Sequence, residues 1–308
     1  MTPCCPERNT PSMLLATYNL FEFGSAKEAA ADRRGDVIEA INEIKPEILL
    51  VQEIAGDHAL TLDALAADTG LHCRFHGIPA FAAGDGKFAV GVLWNPTVRP
   101  TGFRQPGLRG FQRRLACLTV EIDGISVGFA SYHAHPAAKH QRVDDALSAA
   151  MCLTRASGID AVVLGGDFND TSAARDLHGD YLDPDWTHTN SRNDNFVYET
   201  DSEYTNGVLR VRPARDAAEQ LQQAGLCDAA EFLQATPQAT TGHWPGDWAQ
   251  GLRKDRFHLT VNLRDSVREL ATVDNATTRR ASDHLPAVLD FHEHVSALPV
   301  TGKRNPQS

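Results

Sequence analysis

Four apolar runs in this 308-residue chain each stop at, or are followed by, a side chain able to carry chemistry. Leu14-Leu15-Ala16-Thr17-Tyr18 ends on Asn19, and Pro46-Glu47-Ile48-Leu49-Leu50-Val51-Gln52 ends on Glu53. Val162-Val163-Leu164-Gly165-Gly166 ends on Asp167, with Phe168-Asn169 following, and Ser282-Asp283-His284-Leu285-Pro286 is the fourth. Releasing a charged group at the tip of a buried strand is costly unless the charge finds a partner. Carboxylates gathered from separate strands meet that cost by holding a hard divalent cation through oxygen ligands. The pattern therefore points to metal-assisted hydrolysis of a phosphate ester.

Residue types refine this reading. Asn19 is a neutral oxygen donor, able to coordinate a hard cation or orient a phosphate. Gly165-Gly166 allow a sharp turn and close backbone approach, so that Asp167 and Asn169 can address one reacting centre. Asp283 stands beside His284, and a neighbouring carboxylate favours the cationic imidazole at neutral pH. His133 ends the run Ile125 to Tyr132, with His135 as a rival two residues on. Arg253 and Arg256 flank Asp255 and are cationic candidates for phosphate oxygens. His243 and Trp244 lie in a Gly/Pro loop just before Asp255 and are read as substrate contacts at the rim of the site.

The order and spacing of Gln52-Glu53, Gly166-Asp167-Phe168-Asn169 and Ser282-Asp283-His284-Leu285-Pro286 resemble the endonuclease/exonuclease/phosphatase superfamily. Abasic-site endonucleases, neutral sphingomyelinases, inositol-polyphosphate phosphatases and DNase I type nucleases belong to it. The matches run from Asn19 to Phe291. The resemblance implies a four-layer α/β sandwich, two packed mixed sheets with helices on both outer faces. It implies Mg²⁺ or Mn²⁺, one ion or two, held by Glu53 with Asn19 and Asp283. It assigns Asp167 to orienting or deprotonating the attacking water, Asn169 to binding phosphate or aligning Asp167, and His284 to the scissile phosphate. Asp283 would complete the metal site or polarise a histidine, and Asp255 would support the catalytic histidine or a base. The family places a phosphate-binding histidine near His133, normally followed by Leu, where this chain has Ala134.

Composition narrows the partners. Hydrophobic content of 42% and charged content of 22% are ordinary for a globular protein with a substantial core. A net charge of −11 disfavours an enzyme that relies on non-specific phosphate neutralisation. Within Thr171 to Asn206, Asp176, Asp180, Asp183, Asp185, Asp194, Glu199, Asp201 and Glu203 would repel a duplex. A small phosphorylated substrate, diester or monoester, is therefore expected, with a DNA or RNA nuclease as the alternative and a non-catalytic binding scaffold third. No apolar run approaches the roughly 18 residues of a membrane span, and Met1 to Arg8 lacks the basic start and apolar core expected of a signal peptide. Of the six cysteines, Cys73, Cys117, Cys152 and Cys227 lie in apolar segments without metal-ligand spacing, which suits buried small hydrophobes in a reducing cytoplasm, and Cys4-Cys5 is an adjacent pair near the start to which no function is assigned.

The elements that must position these residues alternate between strand and helix. Strands are expected at Met13 to Leu20, Glu47 to Gln52, Phe88 to Trp94, Leu115 to Ile122, Ile125 to Tyr132 and Ala161 to Gly165. Later strands are expected at Arg256 to Leu263, Val267 to Val273 and Ala287 to Phe291. Helical spacing marks Ala26 to Ile44, ended by Lys45-Pro46, and Asp57 to Asp68, with Asp57 as N-cap. Further helices are expected at Ala137 to Ala156, Ala214 to Ala224 and Asp228 to Leu233. Asp123-Gly124 and Asn206-Gly207 are hairpin turns. The motifs lie at both ends and the middle, so one domain over 13–296 is expected, between disordered segments 1–12 and 297–308.

Overall fold

The central strands are apolar on both faces, so each sheet needs a packed layer on either side. A computed structural model, which describes residues 12–84, 87–106, 115–187, 196–244 and 251–292, shows how this is met. In chain order the strands begin with β1 (Ser12–Phe23), β2 (Ile48–Ile54), β3 (Arg74–Phe75), β4 (Ile78–Pro79), β5 (Phe81–Ala83) and β6 (Ala89–Trp94). They continue with β7 (Pro100–Arg104), β8 (Ala116–Ile122), β9 (Ile125–His133), β10 (Ala161–Asp167), β11 (Thr200–Thr205) and β12 (Val208–Pro213). The last are β13 (Leu226–Asp228), β14 (Asp255–Thr260), β15 (Val267–Thr272) and β16 (Ala287–His292). The helices are α1 (Glu28–Asp32), α2 (Arg34–Ile44), α3 (His58–Thr69), α4 (Lys139–Thr154), α5 (Phe196–Glu199), α6 (Asp216–Gln223), α7 (Ala229–Leu233) and α8 (Ala276–Ala281).

Two six-stranded mixed sheets result, ordered β15-β16-β1-β2-β6-β5 and β13-β14-β10-β9-β8-β7. Alternation along each strand divides the core into three parts. Leu15, Leu50, Val92, Phe129, Val163, Phe257 and Leu289 fill the space between the sheets. Their sequence neighbours Ala16, Leu49 and Leu93 face the other way, against Val37 and Ile41 of α2 and Leu62 and Leu65 of α3. On the far side Tyr132, Val162, Leu164 and Phe168 pack against Ala146, Ala149 and Leu153 of α4 and Leu221 of α6. The expected α/β sandwich is the observed one.

Local signals act as their chemistry requires. The Asp57 carboxylate accepts from Leu60 N at 3.1 Å and caps α3. Lys45, before Pro46, takes the left-handed conformation with φ 53° and ends α2. Asp123-Gly124, both at positive φ, joins β8 to β9, and Asn206-Gly207 joins β11 to β12.

Three expectations change. The helix expected over Ala26 to Ile44 is broken at Arg33, whose guanidinium donates to Phe21 O at 2.7 Å and Ala281 O at 2.8 Å. The strand expected to run to Leu263 stops at Thr260, and Val261–Ser266 is a 3₁₀ turn that leads into β15. Strands β5, β7 and β13 and helix α8 were not expected, being short segments without clear periodicity. Expectations for residues 1–11 and 293–308, including Cys4-Cys5, fall outside the described residues, as do those for His188, Asp194 and Trp248.

Candidate active site

Strand register builds the first half of the site. In parallel pairing β10 sets Asp167 opposite His133 of β9, and in antiparallel pairing it sets Asp167 opposite Asp255 of β14. Three candidates thus meet at one edge of three neighbouring strands, His133 and Asp167 ending β9 and β10 and Asp255 beginning β14. Close approach depends on glycine, because a Cβ on Gly166 would stand 1.9 Å from the Tyr132 carbonyl oxygen. Beyond Asp167 the chain turns at Asn169, at φ 50°, whose N–H donates to Asp167 Oδ1 at 2.9 Å. The Asn169 amide itself donates to Ala134 O at 3.0 Å and ties two strand-end loops together.

The facing sheet supplies the second half. Asn19 on β1 pairs with Gln52 on β2, and the register then slips between Asn19 and Phe23. That irregularity, with Phe21, Glu22 and Glu53 all at positive φ, swings Glu53 toward Asn19. Such backbone states in non-glycine residues cost on the order of 1–3 kcal/mol each and concentrate where function requires them. Glu53 Oε2 accepts from Glu22 N at 3.2 Å. Gln52 points the other way and stitches the sheets together: its amide donates to Thr17 Oγ1 at 3.2 Å and Ser131 Oγ at 3.0 Å. After α8, Ser282 Oγ donates to Asn19 O at 2.7 Å and accepts from His284 N at 3.1 Å, bringing Asp283-His284 to the same end.

The sequence candidates converge there. Asn19 Nδ2 donates to Asp167 Oδ2 at 3.1 Å and Glu53 Oε1 at 3.4 Å. His133 Nε2 lies 3.4 Å from Asp167 Oδ2 and 3.9 Å from Glu53 Oε1. His284 Nδ1 is 2.6 Å from Asp255 Oδ2, while its Nε2 lies 3.8 Å from Asp167 Oδ2. Asn19, His133, Asp167 and Asp255 are each only 1% exposed, and His284 8%. His133 and His135 stand in different surroundings. His135 Nδ1 accepts from Ala137 N and Ala138 N just ahead of α4, which commits this nitrogen's lone pair.

Electrostatics separates the acids. Burial pushes the Asp167 carboxyl up, but the charges of His284 and His133 outweigh it and hold the group well below the usual carboxylate range. Burial would depress His284, yet Asp255 and Asp167 raise it to about 10. Asp255, expected to support the catalytic histidine or a base, is the carboxylate hydrogen-bonded to this imidazole. Burial lifts Asp283 to about 6, helped by the charges of Glu53, Asp167 and Asp255 and opposed by His284.

Two donor sets could be considered for a cation. Ligand atoms of Asp167, Asp255 and His284 all lie within 4.8 Å of one another. A protonated His284, however, has no lone pair to offer, and its Nδ1 is engaged with Asp255. Glu53, Asn19 and Asp283 offer oxygen alone, the preference of Mg²⁺ and Mn²⁺. Asp283 is lifted first by burial and then by the charges of Glu53, Asp167 and Asp255, and a cation at these oxygens would favour its ionised form; the donor chemistry of the set suits the ion.

Other candidates stand elsewhere. Arg253 and Arg256 do not line the site as phosphate cations, because both are buried and committed to carboxylates. Arg253 binds Asp183 at 2.5 Å and Asp228 at 2.8 Å, and Arg256 pairs with Asp170. Their work is to hold the 167–171 and 183–186 loops. His243 Nε2 contacts Ser282 O at 2.9 Å, and Trp244 Nε1 donates to Arg279 O at 2.8 Å, which keeps both at the rim. Sequence reading missed Lys254, which pairs with Glu199 and adds positive field at Asp167, and also Phe21 and Arg33. Nothing in the local sequence marks these three, since tertiary neighbours define them.

The sequence profile of the Endonuclease/Exonuclease/phosphatase family matches residues 16–284, and the chain belongs to that family. Its members are metal-dependent phosphoesterases, and this protein is a hydrolase of that class. Among curated proteins none matches. Among solved structures, an endonuclease/exonuclease/phosphatase from Bacteroides vulgatus is similar at 14% identity and TM-score 0.64, over 93% of this chain and 100% of that one. An AP endonuclease from Archaeoglobus fulgidus gives 18% identity and TM-score 0.61, over 91% and 99%. A D. rerio TDP2 humanised by 14 mutations gives 14% identity and TM-score 0.58, also over 91% and 99%. At these identities the likeness is one of fold.

Proposed function

We propose that the protein is a Mg²⁺- or Mn²⁺-dependent phosphoesterase acting on a small phosphate ester. The observation that carries this reading is the convergence of Asn19, Glu53, His133, Asp167, Asp255 and His284 from both sheets onto one buried centre. Bound at Glu53, Asn19 and Asp283, as one ion or two, the cation supplies positive charge that polarises a phosphoryl oxygen.

The protein's own groups divide the remaining work. The charges of His284 and His133 hold Asp167 in its ionised form. Its duty is to accept a hydrogen bond from the attacking water and aim it in line with the leaving group. Asn169 fixes the Asp167 orientation through its backbone N–H. His284, kept cationic by Asp255, presents its Nε2–H to charge growing on the phosphoryl oxygens, with His133 beside it. Preorganised charge of this kind is the largest single contribution in phosphoryl transfer.

Supporting a small substrate are the net charge of −11 and the exposed carboxylates Asp180, Asp185 and Glu203 in the segment after Asp170. Three other acids of that segment are occupied internally: Asp183 with Arg253, Glu199 with Lys254 and Asp201 with Lys139. A nucleic-acid substrate is the second reading, favoured by the β11–β12 hairpin. It exposes Tyr204, Val208 and Leu209 alongside Arg210 and Arg212. The free thiols Cys73, Cys117, Cys152 and Cys227 suit a reducing compartment, in keeping with a cytoplasmic location.

The test is hydrolysis of bis-p-nitrophenyl phosphate, p-nitrophenyl phosphate and abasic DNA, with Mg²⁺ or Mn²⁺ and with EDTA. Activity should vanish in EDTA and return with either ion, and Glu53→Gln should raise the metal concentration required. Full activity in EDTA would sink the metal role. Binding to random duplex DNA should be no tighter than roughly 10⁻⁴ M at physiological salt. Tight, steeply salt-dependent binding would instead support the nuclease reading.

A further inference from the structure

We propose that Phe21 and Trp244, braced by Arg33, form a subsite for a planar aromatic ring carried by the phosphate ester. The two rings meet edge to face, with centroids 5.3 Å apart and planes at 88°. Arg33 Cζ lies 4.6 Å from the Phe21 centroid and 5.6 Å from that of Trp244, so one cation contacts both rings. Its guanidinium also donates to Phe21 O and Ala281 O, which spans the gap between the end of β1 and the end of α8.

Each part of this cluster is tied to the reacting centre. Phe21 N donates to Asn19 Oδ1 at 3.0 Å, and the next N–H, of Glu22, donates to Glu53 Oε2. Trp244 follows His243, which contacts Ser282 O beside Asp283. A ligand resting on these rings therefore sits next to the Asn19, Glu53 and Asp283 oxygens.

Simple core packing does not account for the arrangement. Both rings stay half-exposed, while the core aromatics Tyr18, Phe23, Phe129 and Phe257 are almost wholly buried. Phe21 is also held at φ 46° and Glu22 at φ 59°, backbone states that turn the Phe21 ring away from the hydrophobic alternation of β1. Half-exposed rings carrying a cation at their faces form a stacking platform, and stacking is indifferent to which planar ring arrives. The ligand chemistry is thus a planar ring attached to phosphate, either a nucleobase or a phenyl group.

The inference rests on the phosphoesterase reading for the place of the phosphate, and its test is an equilibrium one. Calorimetric binding of AMP, phenyl phosphate and ribose 5-phosphate, in Mg²⁺, compares ligands that share a phosphate and differ in the ring. AMP should bind at least about tenfold more tightly than ribose 5-phosphate. Trp244→Ala and Phe21→Ala should each remove most of that preference and leave ribose 5-phosphate unchanged, while Trp244→Phe should keep it. Phenyl phosphate binding like AMP would identify any aryl ester as ligand, and binding like ribose 5-phosphate would select a nucleobase. Equal binding of AMP and ribose 5-phosphate by the wild type overturns the subsite, as does equal weakening of both by the alanine variants. Ring preference without hydrolysis of any ester would leave the platform standing and remove the phosphoesterase reading.

Discussion

His284 and Asp255 act as one unit at the scale of single residues. Asp255 keeps the imidazole charged and fixes its Nδ1, so that Nε2 faces the centre occupied by Asp167. His284→Ala should lower kcat by about 10² to 10³ while KM moves little, since the lost contact forms mainly in the transition state. Asp255→Asn should act in the same direction by a smaller factor. Because Asp255 works through His284, the double variant should lose little more than His284→Ala alone. Steady-state kinetics on a diester substrate measures all three, and multiplicative losses would show that Asp255 has a separate duty.

Short segments between the strands hold the site at the scale of elements. The 183–186 segment, the end of β13 and the approach to β14 are joined by the buried triad of Arg253 with Asp183 and Asp228, and Ser172 Oγ ties the loop after β10 to Asp228. Asp228 is held well below the usual range by Arg253 and His258 despite its burial. Arg253→Met leaves two buried carboxylates facing each other without their cation, a loss of about 3–5 kcal/mol. Urea unfolding should show that loss. A variant with wild-type stability and a raised KM would mean that Arg253 touches substrate after all.

Buried His258 gives a pH signature for the whole molecule. Its Nδ1 donates to Leu226 O at 3.1 Å and its Nε2 accepts from Arg256 Nε at 3.2 Å, which fixes a neutral imidazole. Burial lowers it from 6.5 to about 4, with Asp228 opposing and Arg256 assisting. The unfolded chain therefore binds more protons between these values. The stability that His258 contributes is present above pH 6.5 and is lost as pH falls through about 4. Between pH 7.5 and pH 5 this amounts to on the order of 2 kcal/mol. His258→Gln should flatten the fall in Tm over that range, and an unchanged slope would place the acid sensitivity elsewhere.

Much of this was legible in the sequence because strands and their end residues are local features. The runs ending at Asn19, Glu53, His133 and Asp167 form strands, pairing within each sheet aligns their ends, and the packing of the two sheets brings those ends together. The Asp57 cap and the Asp123-Gly124 and Asn206-Gly207 turns were equally local and appeared where expected. What the sequence could not decide was partnership, which depends on atoms distant in the chain. Arg253 and Arg256 looked like free cations until the fold buried them against Asp183, Asp228 and Asp170. His133, favoured over His135 by its strand-end position, lies beside Asp167, while His135 Nδ1 takes Ala137 N and Ala138 N, and Asp255, expected to support the catalytic histidine, hydrogen-bonds His284. Arg33 looked like one position in a continuous helix until Phe21 O and Ala281 O drew its side chain to the rim. Periodicity therefore determined the strands and their end residues, and the motif resemblance implied the sandwich and the chemistry at the strand ends. Long-range packing alone decided which charges are spent on structure and which face the reacting centre.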